Sequence, residues 1–234
     1  MGSLDSQDQP EVSFPSTKDK LRNLILRSLN VDYISESCQD NIQTGNHYQS
    51  VTLGDKQTTG FRTDRKEILD QIDFQDKKVL DLGSNLGEMS RAARDRGAYV
   101  VDGFEYDTYF LETANLINAY NDVTRVSFHH RDITNPAIYT ERYDIVLAFS
   151  VFTYVHSVLK QVAMVTDQLL ILETHKLNEN LYSDYIEPTL RYFPYYKILG
   201  ESEWSIHYDV NERRAVIAFA KRESGLTALN TALV

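Results

Sequence analysis

The sequence is poorest in the residues that staple or interrupt a fold. Among 234 residues there is one cysteine, Cys38, with five prolines and one tryptophan. A single thiol excludes an intramolecular disulfide and a cysteine-built zinc centre, and a reducing compartment is the simple expectation. No apolar run approaches the ~20 residues that cross a bilayer, so no membrane span is expected. The opening MGSLDSQDQPEVSFPS is polar and lacks the apolar stretch of a secretory signal, which makes a cytoplasmic location the expectation. Positive charge is also short. Lys plus Arg number 24 against 34 Asp plus Glu, a formal net charge of −10. Such a chain repels phosphate backbones at long range, so nucleic acid is not an expected partner unless a local basic patch forms. The rest is ordinary globular composition, 42% hydrophobic and 25% charged, in a length that suits one full core with an extension.

The hydrophobic pattern divides the chain. Residues 1–17 read as a flexible tail. Lys18–Leu29 places Leu21, Leu24, Ile25 and Leu29 at helical spacing, with Thr17 as a cap. Asp64–Ile72 is a second helical stretch, and the polar segment between them gives only weak strand signals around Tyr48–Leu53. Residues 18–73 therefore form an N-terminal helical extension. From Lys77 onward, short apolar runs (Val79–Leu82, Tyr99–Val101, Val126–Phe128, Ile145–Phe149, Leu169–Leu172) alternate with helix-compatible stretches (Glu88–Arg96, Thr108–Tyr120, Ser157–Thr166). That alternation predicts an α/β fold with a mostly parallel sheet and helices on both faces. Tyr195–Leu199 and Ala215–Ala220 have no helix between them and are expected to pair antiparallel. Residues 223–234 read as a C-terminal tail.

One segment carries chemistry. In Val79-Leu80-Asp81-Leu82-Gly83-Ser84-Asn85-Leu86-Gly87 a buried strand enters a glycine turn that opens a helix. The glycines permit a tight turn and a close approach of helix, sheet and ligand. The spacing is neither GxGxxG nor a Gly-Lys-Ser/Thr phosphate loop. Glu105 ends the next strand, 24 residues after Asp81, where an acid can accept hydrogen bonds from both hydroxyls of a ribose. Asp132 ends the third strand. It can accept from an adenine amine while Ile133 packs on the ring, or it can cap residues 133–136. These features converge on an adenosine with no phosphate requirement.

VLDLGSNLG, the acid at Glu105, Arg131-Asp132-Ile133 and the run YDIVLAFSVFTYV over Tyr143–Val155 together resemble a class I S-adenosylmethionine-dependent methyltransferase. The resemblance covers about Phe74 to Lys221, so residues 74–222 form the expected methyltransferase domain. It implies a Rossmann-like, seven-stranded sheet whose last strand runs antiparallel. It also implies S-adenosylmethionine as cofactor, S-adenosylhomocysteine as product, and no metal. The implied cofactor contacts are Asp81, Gly83, Ser84, Asn85, Gly87, Glu105, Tyr106, Asp132, Ile133 and Phe149, with Tyr48 and Arg62 from the extension. Two branches are most similar: the methyltransferase portion of O-antigen-capping enzymes, and the branch that modifies the transfer-RNA wobble uridine. A small-molecule or saccharide O-methyltransferase is the principal expectation. An RNA-modifying enzyme is the second, and it requires a basic groove from Lys176, Arg191, Lys197, Arg213 and Arg214. A non-catalytic partner subunit is the third. The sequence carries no signal of oligomeric state.

Three residues are candidates for proton transfer. His156 follows the fourth strand, and Glu173 and His175 end the fifth on the same rim. His129 and His130 are adjacent on a strand and face opposite sides, so they do not share a site. Arg62 and Arg65 are read either as an exposed helix face or as anion-binding groups. The tyrosine cluster Tyr182, Tyr185, Tyr192, Tyr195 and Tyr196 is read as an amphipathic surface or a substrate lid.

Overall fold

A computed structural model of the chain describes residues 16–29, 49–57, 65–175, 180–203 and 213–229. Seven strands form the main sheet: β1 (Lys78–Leu82), β2 (Val100–Glu105), β3 (Val126–His130), β4 (Tyr143–Phe149), β5 (Thr166–Glu173), β6 (Tyr195–Glu203) and β7 (Arg213–Ala220). Their order is β3-β2-β1-β4-β5-β7-β6. Pairing is parallel from β3 to β5, and β7 runs antiparallel between β5 and β6. This is the expected Rossmann-like sheet, and the expected terminal antiparallel pair is β6–β7. The strand order reverses between β1 and β4, the place where open α/β sheets leave a crevice.

Both faces of the sheet are covered, which explains why its strands read as continuous apolar runs rather than alternating ones. Val79, Val101, Ile145, Ile171 and Ala218 belong to the core of one face, whereas Leu80, Phe104, Val146, Leu172 and Ile217 belong to that of the other. A third cluster joins the N-terminal helix α1 (Thr17–Ser28) to α4 (Thr108–Tyr120), with Ile25 and Leu29 packed beside Ile117, Leu53 and Leu86. The cap of α1 is Ser16, not Thr17. Its hydroxyl accepts from the Asp19 amide while the Asp19 carboxylate accepts from Ser16, a reciprocal capping box.

Three other expectations change, and one segment without a predicted element gains one. The second helix, α2, is short, Arg65–Leu69. The stretch Ser157–Thr166 is replaced by α5 (Phe152–Val155), a 3₁₀ turn (His156–Val158) and α6 (Leu159–Val165). Between β5 and β6 the tyrosine-rich segment winds into a π-helical turn, Tyr182–Ile186, followed by α7 (Glu187–Leu190). The tail expected from residue 223 is partly built into the core: Glu223–Ala228 form a 3₁₀ helix, and buried Leu229 bridges to Ile72.

The glycine loop leads into α3 (Glu88–Asp95). Gly87 caps that helix at φ 79°, and a Cβ there would lie 2.1 Å from Phe128 Cζ. It therefore serves the packing of helix on sheet. A residue of the extension completes the cap. Gln49 Oε1 accepts from the Glu88 amide at 3.0 Å, and its Nε2 donates to the Ser84 carbonyl at 3.2 Å. Ser50 N and Lys66 Nζ reach the Glu88 carboxylate at 3.0 and 3.1 Å. The extension is thus fastened directly to the loop.

Candidate functional site

Register aligns the strand ends on one rim. Glu105 is paired with His130, and Phe149 with Glu173, while the antiparallel β7 begins beside them. A cavity of about 630 Å³ opens there, a volume suited to a nucleoside-sized ligand. Gly83 and Asn85 line it after β1, Glu105 and Tyr106 at β2, and Asp132 and Ile133 after β3. Phe149, Ser150 and Tyr154 enter from β4 and α5, His175 from the end of β5, and Arg214 from β7. Seven of the sequence candidates are therefore brought together: Gly83, Asn85, Glu105, Tyr106, Asp132, Ile133 and Phe149. His175 joins them from the proton-transfer set.

The loop explains its own composition. Gly83 has φ 70°, and a Cβ would stand 2.6 Å from Val151 Cγ1, so the turn excludes a side chain. Asn85 is left-handed too, at φ 52°, and its amide donates to Glu105 Oε2 at 2.7 Å. The amides of Tyr106 and Asp107 donate to Glu105 Oε1, each at 2.9 Å. One carboxylate thus fixes both the glycine loop and the turn after β2. Three of its roughly four acceptor positions are used, which leaves one for a ligand hydroxyl rather than the expected two. Asn85 Oδ1 and Ser84 Oγ are buried without a hydrogen-bond partner among the described residues. A buried amide oxygen in the wall of a nucleoside-sized cavity, beside a carboxylate and the apolar Ile133 and Phe149, fits an adenosine-bearing ligand. Asp132 accepts from Thr134 N and Oγ1 through Oδ1 alone, at 2.9 and 2.7 Å. It caps its own turn, and Asn135, not Asp132, caps the 3₁₀ helix Pro136–Ile138.

Other candidates lie elsewhere. Asp81 is buried and accepts from Ser90 Oγ at 2.6 Å, outside the cavity lining. Burial pushes its carboxyl up to about 6, against the help of the Ser90 hydroxyl. Ser84 and Gly87 also do not line the cavity. Tyr48, Arg62 and Lys176 lie outside the described residues.

Glu173 is not a base. It is fully buried and bonded to Arg65 Nε at 2.9 Å, to Arg65 Nη2, to the Ser150 hydroxyl and to Ser202 Oγ at 2.5 Å. Arg65 is itself 1% exposed, so it is neither a solvated helix face nor a ligand-binding group. Ser150 Oγ also accepts from Arg65 Nη2 at 2.7 Å and from Arg214 Nη1 at 2.5 Å. Two guanidinium N–H groups and two hydroxyls occupy its carboxylate oxygens, which leaves no lone pair to spare for chemistry.

His156 is exposed and lies across α5 from the cavity, in a second cleft with Tyr185, Glu187 and Arg191. Helical spacing explains the separation: Val151 and Tyr154 face the cavity, while Phe152, Thr153 and His156 face the cleft. His129 turns to Asp102 at 3.1 Å and His130 to the Tyr106 carbonyl at 2.7 Å, so the pair does diverge. None of the clustered tyrosines lines the cavity. Tyr185 is buried and its hydroxyl accepts from the His175 amide at 3.2 Å, whereas Tyr182, Tyr192, Tyr195 and Tyr196 are exposed. The basic groove does not assemble among the described residues: Arg214 is buried, Arg213 pairs with Glu201 at 3.2 Å, and Arg191 belongs to the second cleft. Among the described residues no His, Cys, Asp and Glu cluster could hold a metal ion. Sequence reasoning missed Ser150 and Tyr154 and placed Arg214 only in a basic groove for RNA. The first two stand inside the quoted run after β4, whereas Arg214 comes to the rim only because β7 runs backwards.

Two outcomes follow from these burials. Glu173→Gln leaves Arg65 buried without its counter-charge and is expected to cost ~3–5 kcal/mol in urea unfolding, most of it recovered by Arg65→Met with Glu173→Leu. Asp81 has a folded value above its free one of 3.8, so its protonated form favours the fold below pH 4, and that contribution is lost as pH rises through 6. Urea unfolding from pH 4 to 7 is expected to show the wild type losing about 3 kcal/mol relative to Asp81→Asn, at ~1.4 kcal/mol per pH unit.

A methyltransferase-domain family matches residues 79–168. No curated protein matches the chain in sequence. Among solved structures, the bifunctional kinase-methyltransferase WbdD superposes with a TM-score of 0.57 at 20% identity, covering 69% of this chain and 40% of WbdD. The chain therefore spans two-fifths of that relative. SMU.776, described as a methyltransferase and solved with S-adenosylhomocysteine, gives 0.53 at 15% identity, covering 67% of this chain and 48% of its own. A Listeria monocytogenes protein described as an S-adenosylmethionine-dependent methyltransferase gives 0.52 at 16%, covering 67% of this chain and 97% of its own. Residues 79–168 therefore carry a methyltransferase domain, set in a Rossmann-like sheet of the kind these solved structures share.

Proposed function

We propose that the protein methylates an oxygen of a small molecule or saccharide, with a surface-polysaccharide sugar or a phosphate-bearing sugar as the acceptor class. The observation that carries this reading is the division of the cavity. Asn85, Glu105, Asp132 and Ile133 gather at the ends of β1–β3, and Ser150, Tyr154, His175 and Arg214 at the ends of β4, β5 and β7. The first group suits the adenosine and the second suits an acceptor. When bound, S-adenosylmethionine supplies a sulfonium methyl group that is already activated. The chain's tasks are then to align the acceptor and to exclude water. Ile133, Phe149 and Val151 supply apolar wall, while Gly83 and the Glu105 clamp hold the loop in shape. His175, half-buried on the rim, is the group placed to take a proton from a hydroxyl acceptor. An acceptor that is already ionised needs no base.

The RNA reading has less support, since Arg214 is buried and Arg213 is paired with an acid. Calorimetric titration with S-adenosylhomocysteine is expected to give one micromolar site per chain. A folded sample that takes up none would overturn the reading in favour of a non-catalytic partner. His175→Ala is expected to lower kcat ~10²-fold or more on a hydroxyl acceptor while S-adenosylhomocysteine affinity stays within ~3-fold. Undiminished turnover across pH would remove His175 from proton transfer.

A further inference from the structure

The second cleft, across α5 from the cavity, has a volume of about 560 Å³. Its floor is apolar. Phe152 and Tyr185 are 4% and 7% exposed, their ring centroids stand 4.9 Å apart, and Pro188 extends the surface. Its rim is polar. His156 comes from the 3₁₀ turn after α5, Glu187 from α7, and Arg191 directly follows that helix.

The rim charges are uncommitted. Glu187 and Arg191 stand four residues apart, the spacing at which a glutamate and an arginine on one helix meet. Both are exposed, yet neither side chain makes a hydrogen bond or ion pair, with the other or with any other described residue. The His156 ring packs edge-on against Phe152, with centroids 5.5 Å apart. One cleft thus presents an acceptor-only carboxylate and a donor-only guanidinium, each with its full capacity unused. A ligand of single charge is drawn to one and repelled by the other. A flat apolar ligand uses neither. Sugar hydroxyls both donate and accept, and the C–H face of a pyranose suits an apolar floor, so a neutral glycosyl unit satisfies floor and rim together.

The cleft adjoins the reaction site. Val151 and Tyr154 line the cavity, whereas Phe152 and His156 line the cleft, so a single helical turn separates the two. A helix with its side chains is ~10–12 Å across. Tyr185 belongs to both sides: its ring lines the cleft while its hydroxyl accepts from the His175 amide at 3.2 Å.

We propose that this cleft is a glycosyl subsite, which holds a neutral sugar unit of the acceptor about one helix diameter from the oxygen that is methylated. The proposal rests on the methyltransferase reading above and narrows its acceptor to a glycoside that reaches past α5. Glu187 and Arg191 read the hydroxyls of the remote unit, and Phe152 and Tyr185 carry its ring.

The test uses the full chain saturated with S-adenosylhomocysteine and follows the ring resonances of His156 and His175. The probes are the methyl α-pyranosides of glucose, galactose and mannose, with acetate and ammonium as charged controls. At least one glycoside is expected to shift His156 saturably in the millimolar range, and the charged controls are not. Its affinity is expected to fall ~10-fold or more in Glu187→Ala and in Arg191→Ala, the loss of a hydrogen bond to a charged group. S-adenosylhomocysteine affinity is expected to stay within ~3-fold of wild type in both variants, whose exposed side chains do not bear on folding. The proposal fails if no glycoside shifts His156, if the shifts appear at His175 alone, or if both variants bind as the wild type does. It also fails if acetate or ammonium binds the cleft as tightly as the glycosides. Absence of S-adenosylhomocysteine binding in a chain whose His156 still responds to a glycoside would overturn the methyltransferase reading and leave the cleft's sugar binding standing.

Discussion

The acceptor side of the rim depends on one buried carboxylate. Glu173 ends β5 with no exposure, and an ion in that position must be compensated or the strand cannot end there. Compensation comes from Arg65 of the extension, Ser150 after β4 and Ser202 of β6. Those groups stand far apart in sequence, so the requirements of a single charge draw four segments to one point. Ser150 sits at φ 58°, an uncommon conformation for a residue other than glycine, and the three hydrogen bonds of its hydroxyl hold it there.

The cofactor side follows the same logic with backbone amides in place of guanidinium groups. Glu105 collects three amides from two loops, and Gln49 satisfies one donor and one acceptor at the start of α3. The loops at a strand rim have no ladder to pair with. A carboxylate or carboxamide that pairs with them gives irregular backbone a defined shape. The glycines then answer to packing against Val151 and Phe128 as much as to any ligand.

The sheet was readable because buried parallel strands are continuous apolar runs, and Val79–Leu82 and Ile145–Phe149 say little else. The cofactor loop was readable because its turn demands Gly83 and places an acid at Glu105. What the sequence concealed was direction and depth. Glu173 and His175 stand two residues apart on one rim, yet one is locked in the interior and the other lines the cavity. Only the partners of Glu173, all distant in the chain, make that difference. His156 was misplaced for a local reason, since a short helix turned it to the far side of Tyr154. Arg214 read only as one cation of a basic groove, because its place on the rim depends on β7 entering the sheet against the direction of its neighbours.

Gln49 has a wider consequence. It bonds the glycine loop on one side and belongs, on the other, to a segment docked through Val51, Leu53 and α1. Any molecule that favours the bonded form of the loop must by mass action also favour the docked form of that segment. A ligand that favours the bonded loop therefore also raises protease resistance near residues 49–57, and undocking of that stretch weakens the hold on such a ligand.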